Sequence, residues 1–164
     1  MNKNGNTLVE LLMVMLLLIL FGSTISILIY SGGRTQQKII SEKNSQIDAR
    51  VAISYLNMKI RQSDAEGMIS VELNESTGAN SILIKERADW GGIDTWIFWD
   101  GGVIYECLVD PGGRPAVGLS EKIAEVDSFS TGYDGAGAIL NVIGYTVNGA
   151  QKELRSSVYL RSGS

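Results

Sequence analysis

The chain has 164 residues, 14 basic and 18 acidic side chains, a net charge of −4 and no histidine. That length suits one domain with its own core, and the absence of any Lys/Arg cluster argues against nucleic acid as the main partner. Without histidine the chain lacks the side chain best suited to proton transfer near neutral pH, so no enzymatic role and no cofactor is expected.

The first element is apolar. Residues 11–30 carry no charged side chain, and at about 1.5 Å per residue they span about 30 Å, the thickness of a bilayer's hydrocarbon core. An ordinary secretory signal has a shorter apolar core followed by a small-residue cleavage site. No Ala-x-Ala pattern follows here, so a retained span is expected. Glu10 sits at the edge of this stretch, behind Thr7, Leu8 and Val9. A carboxylate is costly at the membrane centre and cheaper near the interface. By position alone, Glu10 reads equally as an interfacial residue facing water or as a partner for a positive charge within an assembly.

Ser31-Gly32-Gly33 predicts a flexible point or kink. From residue 34 to about 66 the pattern predicts a long amphipathic helix. Ile40, Ile47, Val51, Tyr55 and Met58 form one apolar stripe, widened by Ala49, Ile53, Leu56 and Ile60, and Gly67 supplies a stop. A stripe this wide is expected to pack on a sheet.

Beyond Gly67 the period changes to that of strands. Ile69, Val71 and Leu73 alternate with polar residues, and Ile82 and Ile84 follow. Residues 95–99 and 103–109 flank Asp100-Gly101-Gly102, a hairpin signal. Trp96-Ile97-Phe98-Trp99 is apolar on both faces, which predicts a central or covered strand. Asp110-Pro111-Gly112-Gly113-Arg114-Pro115 reads as a turn-rich loop. Residues 123–129, 140–147 and 154–160 are further strands, with a turn at Asn148-Gly149. Cys107 is the single cysteine, which rules out an internal disulfide; in the run Val103, Tyr105, Cys107, Val109 it reads as a small core residue. A long helix followed by an antiparallel sheet is an α+β fold.

Several features read as structural. Trp90, Trp96, Trp99 and Tyr105 are expected to pack rather than to form a stacking surface. Asp89, Asp94 and Asp100 match no calcium-loop spacing and read as surface acids, and no metal site is expected. Asn74-Glu75-Ser76 fits the glycosylation tripeptide, as many chance tripeptides do. The glycine-rich 132–137 stretch lacks the Gly-Lys-Ser/Thr of a phosphate loop.

Gly5-Asn6-Thr7-Leu8-Val9-Glu10-Leu11-Leu12 resembles the cleavage and methylation motif of type IV prepilins and pseudopilins. In that family a Gly precedes the cut, Glu is the fifth residue of the mature chain, and an unbroken apolar helix follows. Asn6 stands where the family usually has Phe. The resemblance implies a leader of residues 1–5, removed by a prepilin peptidase after Gly5, and N-methylation of Asn6. Residues 6–30 would be a transmembrane and filament-core helix, and residues 31–164 an extracytoplasmic pilin-like globular domain. Its fold would be a long helix, half transmembrane and half amphipathic, packed on an antiparallel sheet. Glu10 would face the N-terminal amine of a neighbouring subunit, a strong pairing when desolvated among apolar helices. Arg34, Lys38 and Lys43 follow the span, against Lys3 before it, so Lys/Arg counting alone would place the C-terminal side in the cytoplasm. The motif requires the opposite orientation.

The implied function is a non-enzymatic minor pilin or pseudopilin of a type IV pilus, competence or type II secretion-like filament. Partners would be other pilin subunits, the prepilin peptidase, an assembly platform protein and membrane lipid, and the chain would pass from the cell membrane into the filament. Residues 124–129 and 157–161 are also similar to the ends of larger minor pseudopilins and of Gram-positive competence-type pseudopilins. The alternative is an uncleaved, single-span anchored domain with an extracytoplasmic binding role, in which Glu10 has no assembly function. A membrane-tethered enzyme ranks third.

Overall fold

A computed structural model describes the backbone of residues 3–86 and 91–161, with side chains from residue 8 onward except 31–43. The chain divides into two compact units, Met1–Ser41 and Glu42–Ser164. Helix α1, Lys3–Gln62, supplies residues to both. It is helical through Ser31-Gly32-Gly33, where the glycines predict a break, and it ends at Gln62, short of residue 66. Gly67, with φ +69°, then serves the turn that leads into the first strand.

In the second unit, strands β1 (Ile69–Asn74), β2 (Ala79–Glu86), β3 (Ile93–Asp100), β4 (Val103–Val109) and β5 (Glu121–Glu125) form a five-stranded antiparallel sheet in that order. Strands β6 (Ser128–Tyr133), β7 (Ile139–Val147) and β8 (Ala150–Val158) form a second, three-stranded antiparallel sheet. The expected single run at 123–129 is thus divided: β5 closes the first sheet, and β6 opens the second by pairing Phe129 with Ile143. The α+β layout stands, with two sheets in place of one. Two hairpins follow from local chemistry. Asp100 pairs with Val103 across Gly101 (φ +56°) and Gly102 (φ +93°). Val147 pairs with Ala150 across Asn148 (φ +54°) and Gly149 (φ +72°). Two-residue hairpin turns with positive φ at both positions match strand twist, and Gly and Asn tolerate that backbone best.

Both faces of the five-stranded sheet are covered, as the apolar Trp96–Trp99 run requires, and β3 is its middle strand. On one face Ile82, Ile84, Ile97 and Ile104 join Ala49, Ala52, Leu56 and Ile60 of α1 in a core shared with Phe129, Ile139 and Ile143 of the second sheet. On the other face Leu83, Trp96, Phe98 and Cys107 form a smaller cluster, with Tyr105 and Val109 packed against it. Cys107 is fully buried there, a small core residue as its setting predicts.

The loop between β4 and β5 borders this second cluster like a strap. The Gly112 N–H donates to Asp94 Oδ2 at 2.7 Å, the Trp96 indole N–H donates to the Gly113 carbonyl at 3.2 Å, and Arg114 forms an ion pair with Glu75 on the β1–β2 turn. Asp94 is therefore not a surface acid: it is 6% exposed and anchors the strap. Asn74 is also buried, its Oδ1 accepting from the Ser76 N–H, so the glycosylation tripeptide is not displayed. Asp89 and Trp90 lie outside the described residues.

The candidate assembly surface

In the first unit, Leu8–Tyr30 is apolar and exposed throughout, a 23-residue stretch with the length and composition of a membrane span or a signal sequence. Its serine and threonine hydroxyls are satisfied within the helix. The Ser23 and Thr24 hydroxyls donate to the Leu20 carbonyl, and the Ser26 hydroxyl donates to Gly22 at 2.8 Å. Such back-bonding lets hydroxyls sit in a helix that lacks water around it. Glu10 is exposed, with Leu8, Val9, Leu11 and Leu12 also exposed around it. The backbone of Gly5 and Asn6 is helical, while their side chains lie outside the described set.

In the second unit, the α1 segment presents two apolar stripes. Ala49, Ala52, Leu56 and Ile60, at spacings of 3, 4 and 4, are all fully buried against the sheets. Ile47, Val51 and Met58 are 55%, 47% and 45% exposed. At about 100° per residue, the centres of the two stripes fall on roughly opposite sides of the helix. Of the wide stripe expected from sequence to meet the sheet, Ala49, Leu56 and Ile60 do so, with Ile53 and Tyr55 packed beside them, whereas Ile47, Val51 and Met58 are left in solvent. The described sheet-facing stripe is built partly from alanine, whose small side chain lets a helix backbone approach a sheet closely. Ile40 belongs to the side chains outside the described set.

A polar cluster holds the helix in this orientation. Glu106 of β4 points to the helix side of the sheet, and its carboxylate meets Lys59 Nζ at 2.6 Å. The Lys59 ammonium lies 5.7 Å from the centre of the Tyr55 ring. Burial pushes the Tyr55 phenol well above its ordinary value, and its hydrogen bond to the Glu106 carboxylate adds to the shift. Glu106 retains 9% of its side-chain exposure and Lys59 30%. A pair of this kind is costly to break, because removing one member leaves the other charge poorly solvated. Rotating α1 to bury Ile47 and Val51 would break it. Sequence patterning missed this cluster: Glu106 lies in a strand whose alternation on the other face, Tyr105 and Cys107, reads as the core side.

A family model described as Domain of unknown function (DUF4860) matches residues 47–143 of the chain. The chain belongs to DUF4860. The DUF4860 match begins at Ile47, on the exposed stripe of α1, and ends at Ile143 in β7, so Lys59, Glu106 and the strap all lie within it. Gly5, Asn6, Glu10 and β8 lie outside the DUF4860 match. No curated protein and no solved structure matches the chain.

Proposed function

We propose that the chain is a structural, non-enzymatic subunit of a type IV pilin-like filament, a minor pilin or pseudopilin made as a membrane precursor. The observation that carries this reading is the motif at the N-terminus, with Gly5 before the cut and Glu10 at the fifth position after it. A prepilin peptidase would remove residues 1–5, and N-methylation would fall on Asn6. An apolar span from Leu8 to Tyr30 follows, as the motif requires. The second apolar stripe of α1 supports the reading independently of the motif. A domain that already buries one helix face and leaves Ile47, Val51 and Met58 bare has a surface suited to packing against helices of other subunits.

Glu10 would pair with the new amino group of a neighbouring Asn6. Unpaired among apolar helices, its charge is expensive, so the pairing penalises wrong axial registers. Glu10→Ala is expected to leave membrane insertion and cleavage intact and to impair filament formation; filaments at normal levels would remove the pairing role. The processing itself is tested by intact mass and N-terminal sequencing of membrane-extracted protein, from cells with and without a prepilin peptidase. A start at Asn6 that depends on the peptidase is the expected result. A start at Met1 in both strains would overturn the reading and leave an anchored domain.

A further inference from the structure

The strap and the outer face of the five-stranded sheet enclose a groove of about 690 Å³, independent of the helix surfaces above. That volume is in the range of about 300–1,000 Å³ typical of ligand sites. Leu83 and Trp96 line it from the sheet, Pro111 and Pro115 from the strap, Leu73 and Asn74 from the end of β1, and Glu75 from the β1–β2 turn.

Among the described residues, charge in the groove is unbalanced. Four carboxylates, Glu72, Glu75, Glu86 and Asp94, face two cations, Lys85 and Arg114. Both cations are already committed. Lys85 Nζ lies 3.2 Å from Glu72, and Arg114 pairs with Glu75. Ser70 Oγ donates to Glu72 at 2.8 Å and, with Lys85, holds that carboxyl below the usual carboxylate range. Glu86 and Asp94 carry the remaining charge. Asp94 is the deeper of the two: Lys85 stands opposite it in the β2–β3 ladder but turns to Glu72, and the hydrogen bond given for Asp94 is the Gly112 N–H on Oδ2. A carboxylate 94% buried, in a cavity wall beside an indole, is poorly compensated by one neutral N–H. A second buried group in the wall is also short of a partner: Asn74 is 2% exposed, and its Nδ2 has no acceptor among the described residues.

We propose that this groove binds a basic peptide segment of a partner protein, with an Arg or Lys side chain directed to Asp94 beside Trp96. A guanidinium or ammonium group makes charge-assisted hydrogen bonds to a carboxylate and is attracted by an indole. The aliphatic stem of such a side chain suits the Leu83 and Pro111 surfaces, as long cationic side chains bury their stems along apolar walls. Asn74 Nδ2 is shielded from solvent, so a peptide carbonyl reaches it only with a shift of the β1–β2 turn. Free polyamines share the cation but have no carbonyl.

The test is isothermal titration calorimetry on the detergent-solubilised full chain. The probes are Ac-Gly-Arg-Gly-NH2, the same peptide with neutral citrulline in place of arginine, and spermidine. Saturable binding of the arginine peptide is expected, with the citrulline peptide and spermidine each at least about tenfold weaker. Asp94→Asn keeps an oxygen acceptor for the Gly112 N–H while removing the charge, and is expected to weaken arginine-peptide binding at least about tenfold. Glu86→Gln, on the exposed rim, tests the charge without touching the strap and is expected to weaken binding by about two- to fivefold. Equal binding of the arginine and citrulline peptides would overturn the proposal, as would binding unchanged in both variants. Spermidine binding tighter than the peptide would overturn the peptide assignment.

Discussion

The orientation of α1 on the sheets makes a sharp prediction, because Leu56 and Val51 are five positions apart on one helix and differ sharply in exposure. Leu56 is fully buried in the shared core, whereas Val51 is 47% exposed. Leu56→Ala removes buried carbons and leaves a cavity, at a cost of about 2–5 kcal/mol. For a unit the size of Glu42–Ser164, each kcal/mol lowers Tm by about 4 °C. Leu56→Ala should therefore lower Tm by about 8–20 °C, read by near-ultraviolet circular dichroism of the solubilised protein. Val51→Asp changes an exposed position and should cost under about 0.5 kcal/mol, a shift within about 2 °C. Its effect should appear in assembly. Fully burying the remaining half of Ile47, Val51 and Met58 contributes about 2–4 kcal/mol per contact, and a buried carboxylate in their midst opposes it by several kcal/mol. A Val51→Asp melt as low as that of Leu56→Ala would refute the assignment of faces. Normal filament yield from Val51→Asp would refute the use of that face in assembly.

Other outcomes follow from the polar anchors. Lys59→Met leaves the Glu106 carboxylate without its cation and, since Lys59 is partly exposed, should destabilise by about 1–3 kcal/mol; adding Glu106→Leu should recover most of this in thermal unfolding. Asp134 accepts the Ser157 hydroxyl and the N–H groups of Ala138 and Ala136, which hold its carboxyl below the usual carboxylate range. A carboxyl depressed in the folded state contributes stability above its unfolded value, and that contribution disappears as pH falls through the folded value. The Tm gap between wild type and Asp134→Asn should thus be present at pH 7 and close toward pH 2; a gap that persisted in acid would show that charge is not its source. Gly113→Ala would bring a Cβ to 2.8 Å from the Asp110 carbonyl, so the strap must shift, and the Trp96 indole N–H resonance should move as its bond to Gly113 is disturbed.

The sequence is most readable where one residue type dictates a backbone. Asn148-Gly149 and Gly101-Gly102 mark their hairpins because few other residues accept positive φ at both turn positions. The apolar run is equally plain, since residues 11–30 carry no charge, and its length and composition suit a membrane span or a signal sequence. The face of α1 that meets the sheets was legible only in part: Ala49, Leu56 and Ile60 of the expected stripe pack there, and Ile47, Val51 and Met58 do not. A stripe so wide covers much of the helix circumference, and which part meets the sheets depends on how closely the backbone approaches, to which Ala49 and Ala52 contribute. The division into two sheets was hidden too, because it depends on β6 choosing β7 over β5, a matter of distant pairing rather than local composition. Asp94 read as a surface acid because the strap that buries it comes from residues 16 or more positions away. At the candidate assembly surface, Glu10 is a proposal that rests on its spacing to Gly5 alone, while the Lys59–Glu106 anchor joins two distant segments and leaves no short-range signal.

The free edges of the two sheets carry a further consequence. β5 is one edge strand of the first sheet and β8 one edge strand of the second. Both are lined with exposed charges, Glu121, Lys122 and Glu125 on one and Lys152, Glu153 and Arg155 on the other. Unpaired strand edges invite strand-by-strand growth into insoluble β aggregates, and charge is a common guard against it. A filament subunit, as proposed for this chain, would be held at high local density beside its own copies and would face that hazard continuously. With these two edges so defended, the proposed self-association would be steered to the apolar helix faces, where contacts are registered by side-chain shape rather than by backbone hydrogen bonds.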